Sequence, residues 1–73
     1  MTSTGTEIIF EVREAEEGGY WARALGEDIA TEADTWDALV ETVRDAIKCH
    51  FDNENARPKV CRLLLMKEQA VLV

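Results

Sequence analysis

The residues with the most reactive side chains are Cys49, His50 and Cys61, and their spacing does not suit a catalytic or metal site. His50 is the single histidine of the chain, so a histidine pair for acid–base chemistry or metal binding is not available. Neighbouring helix residues project about 100° apart, so Cys49 and His50 are poorly placed to bind one ion. A structural zinc site needs four ligands at short repeated spacings, which this sequence lacks. We therefore predict no enzymatic activity, no metal and no cofactor, and for His50 a packing or helix-end role.

Three carboxylates, Asp37, Glu41 and Asp45, follow one another at intervals of four residues and could form a docking stripe. Side chains at this spacing share one face of a helix, where like charges cost roughly a few tenths of a kcal/mol per pair. One interpretation is a surface for a basic partner. The other is a solvated helix face that Arg44 and Lys48 partly balance, and the sequence leaves both open.

The carboxylate stripe belongs to a predicted amphipathic helix over Asp34–Asn55, around which the rest of the chain is organised. Apolar side chains recur every three or four residues along one side of this segment. Asp34 or Thr35 can cap its start with a side-chain oxygen. Pro58 disfavours helical geometry at the residue before it, so the helix is expected to end within the polar run 53–55.

Four other segments have the alternating pattern of strands: Glu7–Glu14, Tyr20–Leu25, Ile29–Ala33 and Lys59–Lys67. Gly18, Gly19 and Gly26 lie in the turns that separate the first three. The 73 residues are therefore expected to form one α+β domain of order β-β-β-α-β, with an antiparallel or mixed sheet and one helix packed on one face. Residues 1–6 are expected to be flexible. The apolar segment 70–73 could add a fifth strand to its own sheet or pair with another chain.

One helix can cover only one face of such a sheet. The alternation places two sets of side chains toward the helix: Ile8, Phe10 and Val12 from the first strand, and Tyr20, Ala22 and Ala24 from the second. The opposite face is then expected to expose an apolar patch made of Ile9, Trp21, Leu63 and Leu65, with Arg23 beside Trp21. A contiguous apolar patch usually marks an interface. Alternatively, the predicted alignment of a strand is wrong by one residue. Such a shift would turn every side chain of that strand to the other face of the sheet.

The charge of the chain bears on the class of partner. Fifteen acidic and eight basic residues give a formal net charge of −7. This field repels phosphate backbones, so direct nucleic-acid binding is not expected. It attracts basic partners, although solubility alone also explains an acidic surface. We expect a cytoplasmic protein with free thiols and no membrane association, because the polar N-terminus lacks a leader pattern and no apolar run reaches about 18 residues.

The segment from Ile8 to Phe51 resembles the HicB family of small antitoxins. The resemblance rests on the alternating first strand, on the sequence EGGYWA at 17–22, and on the Asp34-Thr35 pair that opens a helix continuing WDAL. It implies a partial ribonuclease-H-like core with the β-β-β-α-β order. The family commonly has a Pro-Asp-Leu-Pro-Gly type of loop after the second strand and a glycine before Asp-Thr, whereas this chain has ALGED at 24–28 and Ala33.

The HicB resemblance also implies a function, namely binding and masking a small basic RNA-cleaving toxin of the HicA type. Many members carry a helix-turn-helix or ribbon-helix-helix segment, and none is recognisable up to Val73, so DNA binding is not implied. The alternative is a self-associating structural or small-ligand module without a toxin partner, and both interpretations predict a homodimer. The candidate interface residues are Ile9, Trp21, Arg23, Leu63, Leu65, Asp37, Glu41 and Asp45.

Overall fold

The computed structural model describes residues 7–73. In chain order these contain β1 (Glu7–Glu14), β2 (Tyr20–Ala24), β3 (Ala30–Ala33), α1 (Trp36–His50), a 3₁₀ turn (Glu54–Ala56) and β4 (Val60–Met66). The four strands form one mixed sheet, and α1 packs on one face of it. The predicted α+β fold with a β-β-β-α-β order is confirmed. The flexibility predicted for residues 1–6 lies outside the described residues.

The strand order across the sheet is β3-β2-β1-β4. β1 pairs antiparallel with β2 and parallel with β4, and β2 pairs antiparallel with β3. The two edge strands, β3 and β4, therefore run in the same direction. Parallel strands need a crossover connection, and α1 provides it by crossing over β2 and β1.

The turn between β1 and β2 depends on two glycines, as the sequence indicated. Gly18 and Gly19 have φ angles of +102° and +87°, a region that residues with a Cβ rarely adopt. The amide of Ala15 donates to the carbonyl oxygen of Gly19 at 3.0 Å and closes the turn. A Cβ added at Gly19 would lie 2.9 Å from the carbonyl oxygen of Ala33, whereas one at Gly18 would meet nothing within 4 Å. Gly19 therefore lets the hairpin approach the end of β3 closely.

α1 begins where the sequence predicts. Of the two candidate caps, Thr35 is the one used: its Oγ1 accepts a hydrogen bond from the amide of Ala38 at 3.1 Å. In the first turn of α1, Trp36 packs edge-to-face on Tyr20 of β2, with ring centroids 5.4 Å apart. This contact fixes the start of α1 on the sheet.

The predicted end of the helix is wrong, because α1 stops at His50 and not within 53–55. The side chain of Asn53 accepts a hydrogen bond from the amide of Asn55 at 2.9 Å and caps the separate 3₁₀ turn. Asparagine side chains compete in this way with helical backbone bonds. The polar residues thus end the helix earlier than Pro58 alone requires.

The hydrophobic core lies between α1 and the sheet. Its buried side chains come from both layers: Ile8, Phe10, Val12, Ala22, Ala24, Ile29, Leu39, Val43 and Ile47. The helix-facing sets predicted for β1 and β2 are confirmed, and the small Ala22 and Ala24 let α1 sit close to β2. Ile29 is buried although β3 begins one residue later, and its carbonyl oxygen accepts a bond from Ala24 at 2.9 Å.

The pairing of β4 with β1 corrects the predicted direction of Leu63 and Leu65. Leu63 lies opposite Phe10 and Leu65 lies opposite Val12. Residues opposite each other in a sheet point to the same face. Since Phe10 and Val12 are buried beneath α1, Leu63 and Leu65 point to the helix side, and the alternating set that includes Leu64 points away from it.

Beyond β4, residues 67–73 form no strand, so the fifth strand considered from the sequence does not form within this sheet. Val71, Leu72 and Val73 are exposed to 68%, 101% and 123% of their reference areas. No helix in the part of the chain that the structure describes has the length and apolarity to cross a membrane.

Candidate interaction surfaces

The open face is the side of the sheet turned away from α1. The pairing registers place these side chains on it: Ile9, Glu11, Arg13, Trp21, Arg23, Val60, Arg62, Leu64 and Met66. The predicted positions of Ile9, Trp21 and Arg23 on this face are confirmed. Leu64 and Met66 take the places expected for Leu63 and Leu65. Trp21, Leu64 and Met66 are 36%, 46% and 42% exposed, so the open face presents substantial apolar surface.

The open face also contains an ion-pair network centred on Glu11. One carboxylate oxygen of Glu11 accepts a hydrogen bond from Arg13 at 2.8 Å, and the other accepts one from Arg23 at 3.1 Å. Arg13 also donates to Glu68, which follows β4, at 3.2 Å. The sequence suggested a contiguous apolar patch, but the patch in the structure is interrupted by these charges. It is an apolar surface with a fixed polar centre.

The same network changes the titration of Glu11. The hydrogen bonds from Arg13 and then from Arg23 hold the pKa of the Glu11 carboxyl below its ordinary value. A lowered folded-state pKa means that the ion pairs stabilise the fold above the ordinary glutamate range. That stabilisation is lost as the pH falls through the lowered pKa.

We expect the Glu11 carboxyl carbon to titrate, by NMR, at a lower pH than a glutamate in an unstructured peptide. Replacing both arginines with glutamine (R13Q/R23Q) should return the midpoint toward that of the peptide, because the charge-assisted hydrogen bonds are removed. A midpoint that is the same with and without the arginines would contradict this assignment.

The carboxylate stripe lies on the exposed side of α1, as predicted. Asp37, Glu41 and Asp45 are all exposed, and Arg44 is 3.6 Å from Glu41. The stripe and the open face therefore lie on opposite sides of the protein, and the predicted interface residues do not form one continuous site. A docking role for the stripe stays a prediction.

A groove between the second half of α1 and the start of β4 was not predicted. It encloses about 320 Å³ and is lined by apolar Val40, Val43, Ile47, Pro58, Cys61 and Leu63, and by basic Arg44, Lys48, Arg57 and Lys59. Half of the eight basic residues of this acidic chain thus converge on one groove. In the sequence, the one sign of this groove was the basic run Arg57-Pro58-Lys59. Its position near α1 could not be predicted, because it results from the pairing of β4 with β1.

Two polar groups mark the groove. Arg57 donates from Nη2 to the carbonyl oxygen of Phe51 at 3.2 Å, and its buried Nε has no hydrogen-bond partner among the described residues. Cys61 is partly buried in the groove, and burial raises the pKa of its thiol. Cys49 is exposed, and both cysteines are free.

His50 lies at the end of α1 and is bonded across the molecule. Its Nε2 is 3.2 Å from Oε1 of Glu27, and its ring packs edge-to-face on Phe51 with centroids 4.9 Å apart. The sequence indicated the helix-end position but not Glu27. Within residues 7–73, no group of three or more histidine, cysteine, aspartate or glutamate side chains is arranged to hold a metal ion.

Comparison with known proteins identifies relatives of the chain. A UPF0150 protein of Thermotoga maritima is 39% identical over 70 residues, which cover 96% of this chain and 97% of that protein. The chain belongs to the UPF0150 family. A UPF0150 protein of Archaeoglobus fulgidus is 49% identical over 53 residues, covering 73% of this chain and 77% of that protein. No family model and no solved structure matches the chain.

The UPF0150 name states no activity, so the function of this UPF0150 protein has to be inferred from its surfaces. The resemblance to HicB antitoxins stays a prediction. The described residues offer three features to a partner: the open face, the carboxylate stripe and the free outer edge of β4 beside the groove.

Proposed function

We propose that this UPF0150 protein is a non-enzymatic, cytoplasmic binding module that occludes a small basic protein, namely a HicA-type RNA-cleaving toxin. The observation that carries the proposal is the exposure of Trp21, Leu64 and Met66 together on the open face. Exposed tryptophan beside arginine is typical of binding hot spots, and Arg23 lies two residues from Trp21 on the same face. Occlusion requires burial of this surface and no bond making or breaking.

The charge of the protein supports a basic partner. With fifteen acidic and eight basic residues, its field attracts cationic proteins and repels nucleic acid. The exposed carboxylate stripe contributes to this field from the far side of α1, where it can raise the association rate without contacting the partner. Electrostatic complementarity of this kind acts on rate and selectivity more than on affinity.

The open face supplies affinity by a different route. Covering Trp21, Leu64 and Met66 stabilises a complex by about 25 cal/mol for each Å² of apolar surface that is removed from water. The Glu11–Arg13–Arg23 network is already hydrogen bonded in the free protein, so its charges need little rearrangement when they are covered. This arrangement orients a partner around a fixed polar centre.

The test is coexpression with a small basic protein, containing one glycine-flanked histidine, encoded in the neighbouring reading frame. We expect a stoichiometric complex in which RNA cleavage is suppressed, and an association rate that falls with added salt. Trp21→Ala should weaken the complex by about thirtyfold, the effect of a hot-spot residue. The control is Trp36→Phe, which alters the other tryptophan on the helix side and should leave the affinity nearly unchanged.

Three results would overturn the proposal: no complex, an association rate independent of salt, or an unchanged affinity of the Trp21→Ala variant. Absence of a complex would favour the second candidate, a self-associating module without a toxin partner. The outer edge of β4, which no other strand of the described residues pairs, is the observation that supports self-association.

A further inference from the structure

The two edges of the sheet differ in their protection against pairing with another strand. β3 has four residues and includes the charged Glu32. β4 has seven residues, no proline and a single charge, Arg62, which pairs with Glu7 of the neighbouring strand. Natural proteins protect edge strands by shortness, charge, proline or a covering element. By these criteria β3 is protected, whereas β4 has no such protection from residues 7–73.

β4 is also apolar on both of its faces. Val60, Leu64 and Met66 on the open face and Leu65 on the helix side are all more than a third exposed. Strands of this composition are usually buried on both sides in the interior of a sheet. The composition of β4 therefore suits a strand that has another strand beside it.

We propose that the occupant of this edge is a second copy of the chain, paired antiparallel along β4, with residues 67–73 of each copy extending along the β4 of the other. Two identical strands related by a two-fold axis must run antiparallel, and one residue then lies opposite itself. This inference does not depend on the toxin partner.

Charge disfavours two of the possible registers. If Arg62 lay opposite itself, two like charges would face each other. If Leu63 lay opposite itself, Lys59 would face Lys67 of the second copy. Like charges directly opposite each other in a sheet are destabilising.

Charge favours one of the remaining registers. If Leu65 lies opposite itself, Arg62 faces Glu68 of the second copy, and the two-fold axis repeats this favourable pair. If Leu64 lies opposite itself, no opposite charges face each other. The geometry therefore points to pairing centred on Leu65, which places Leu64 against Met66 of the second copy and joins the two sheets.

This register also fills the groove. Val71 and Val73 of the second copy would lie opposite Lys59 and Arg57, on the helix side like Leu65. Their exposed side chains would then cover the apolar floor of the groove.

A chain cannot reach the mouth of its own groove with its own tail. Arg13 holds Glu68 just past the far end of β4. The five residues that follow span at most about 17 Å, whereas β4 itself is about 20 Å long. The tail can therefore reach Lys59 and Arg57 only of another copy.

Cysteine cross-linking tests the register. In the C49S/C61S background, Leu65→Cys places two thiols opposite each other about 5 Å apart. The matched control, Leu63→Cys, separates them by about 13 Å, beyond disulfide reach. We expect a dimer by sedimentation at micromolar concentration, and a mild oxidant such as copper–phenanthroline should cross-link the Leu65→Cys variant alone.

Charge exchange tests the same pairing without cysteine. Glu68→Arg should weaken the dimer about tenfold, because it turns two attractive pairs into repulsive ones. Adding Arg62→Glu should restore it, provided that Glu7→Arg is introduced as well to keep the pair between β1 and β4. Glu17→Arg makes the same charge change in the β1–β2 turn and should have little effect. A monomer at micromolar concentration, cross-linking at Leu63, or no restoration by the triple variant would overturn the proposal.

Discussion

Replacing Phe10 with alanine is expected to lower the free energy of unfolding by about 3–5 kcal/mol. Phe10 is fully buried in β1 beneath α1, in one cluster with Leu39 and Val43. Removing the ring loses its transfer free energy and leaves a cavity that the sheet can fill only in part. A domain of this size has a total stability of about 4–11 kcal/mol, so the loss is a large fraction of it. Urea unfolding followed by tryptophan fluorescence measures the change.

The adjacent residue provides the control for Phe10. Ile9 belongs to the same strand but points to the open face, so Ile9→Ala should cost less than half as much. If Phe10→Ala does not fold, Phe10→Leu keeps most of the volume and should still fold with a smaller loss. Equal losses for alanine at positions 9 and 10 would mean that the two faces of β1 are not distinguished by α1.

Replacing Gly19 with alanine is expected to cost about 3 kcal/mol or more. Its φ of +87° disfavours any residue with a Cβ by about 1–2 kcal/mol. In addition, the new Cβ would lie 2.9 Å from the carbonyl oxygen of Ala33, a backbone atom that cannot move without shifting the end of β3. Since α1 begins just after this point, the shift would also disturb the helix cap at Thr35.

Gly18→Ala is the matched control for Gly19→Ala. Gly18 also has a positive φ, of +102°, but a Cβ there meets nothing within 4 Å. Its cost should be limited to backbone strain, about 1–2 kcal/mol. The difference between the two variants, measured by chemical unfolding, isolates the close approach between the hairpin and β3. Equal costs would contradict the close approach.

The alternating pattern predicted the faces of β1 and β2 because neighbouring side chains in those strands differ in polarity or size. Ile8 and Phe10 are buried, whereas Glu11 between Phe10 and Val12 is not. In β4 the same reasoning fails, since Leu63, Leu64 and Leu65 are identical. Only the pairing with β1 decides which of them faces α1, and pairing between distant segments is not encoded in a local pattern.

The candidate surfaces were predictable to different degrees for the same reason. The carboxylate stripe depends on helical spacing alone and was located from the sequence. The groove forms because α1 lies next to the residues before β4. The spacing of apolar residues along the chain does not predict this contact between distant segments. The helix end was misplaced because it was inferred from Pro58 and the polar run 53–55, whereas the backbone leaves the helix at His50.

The parallel pairing of β1 with β4 also has a consequence for the order of folding. β1, β2 and β3 are joined by short turns and can form while the chain is still being synthesised, whereas Glu7 must wait for Val60 to emerge before it finds its neighbour. Until then, the outer edge of β1 has unpaired backbone groups that a neighbouring nascent chain could bind. Closure of the sheet by its last strand is therefore the step at which this protein is most exposed to misassembly.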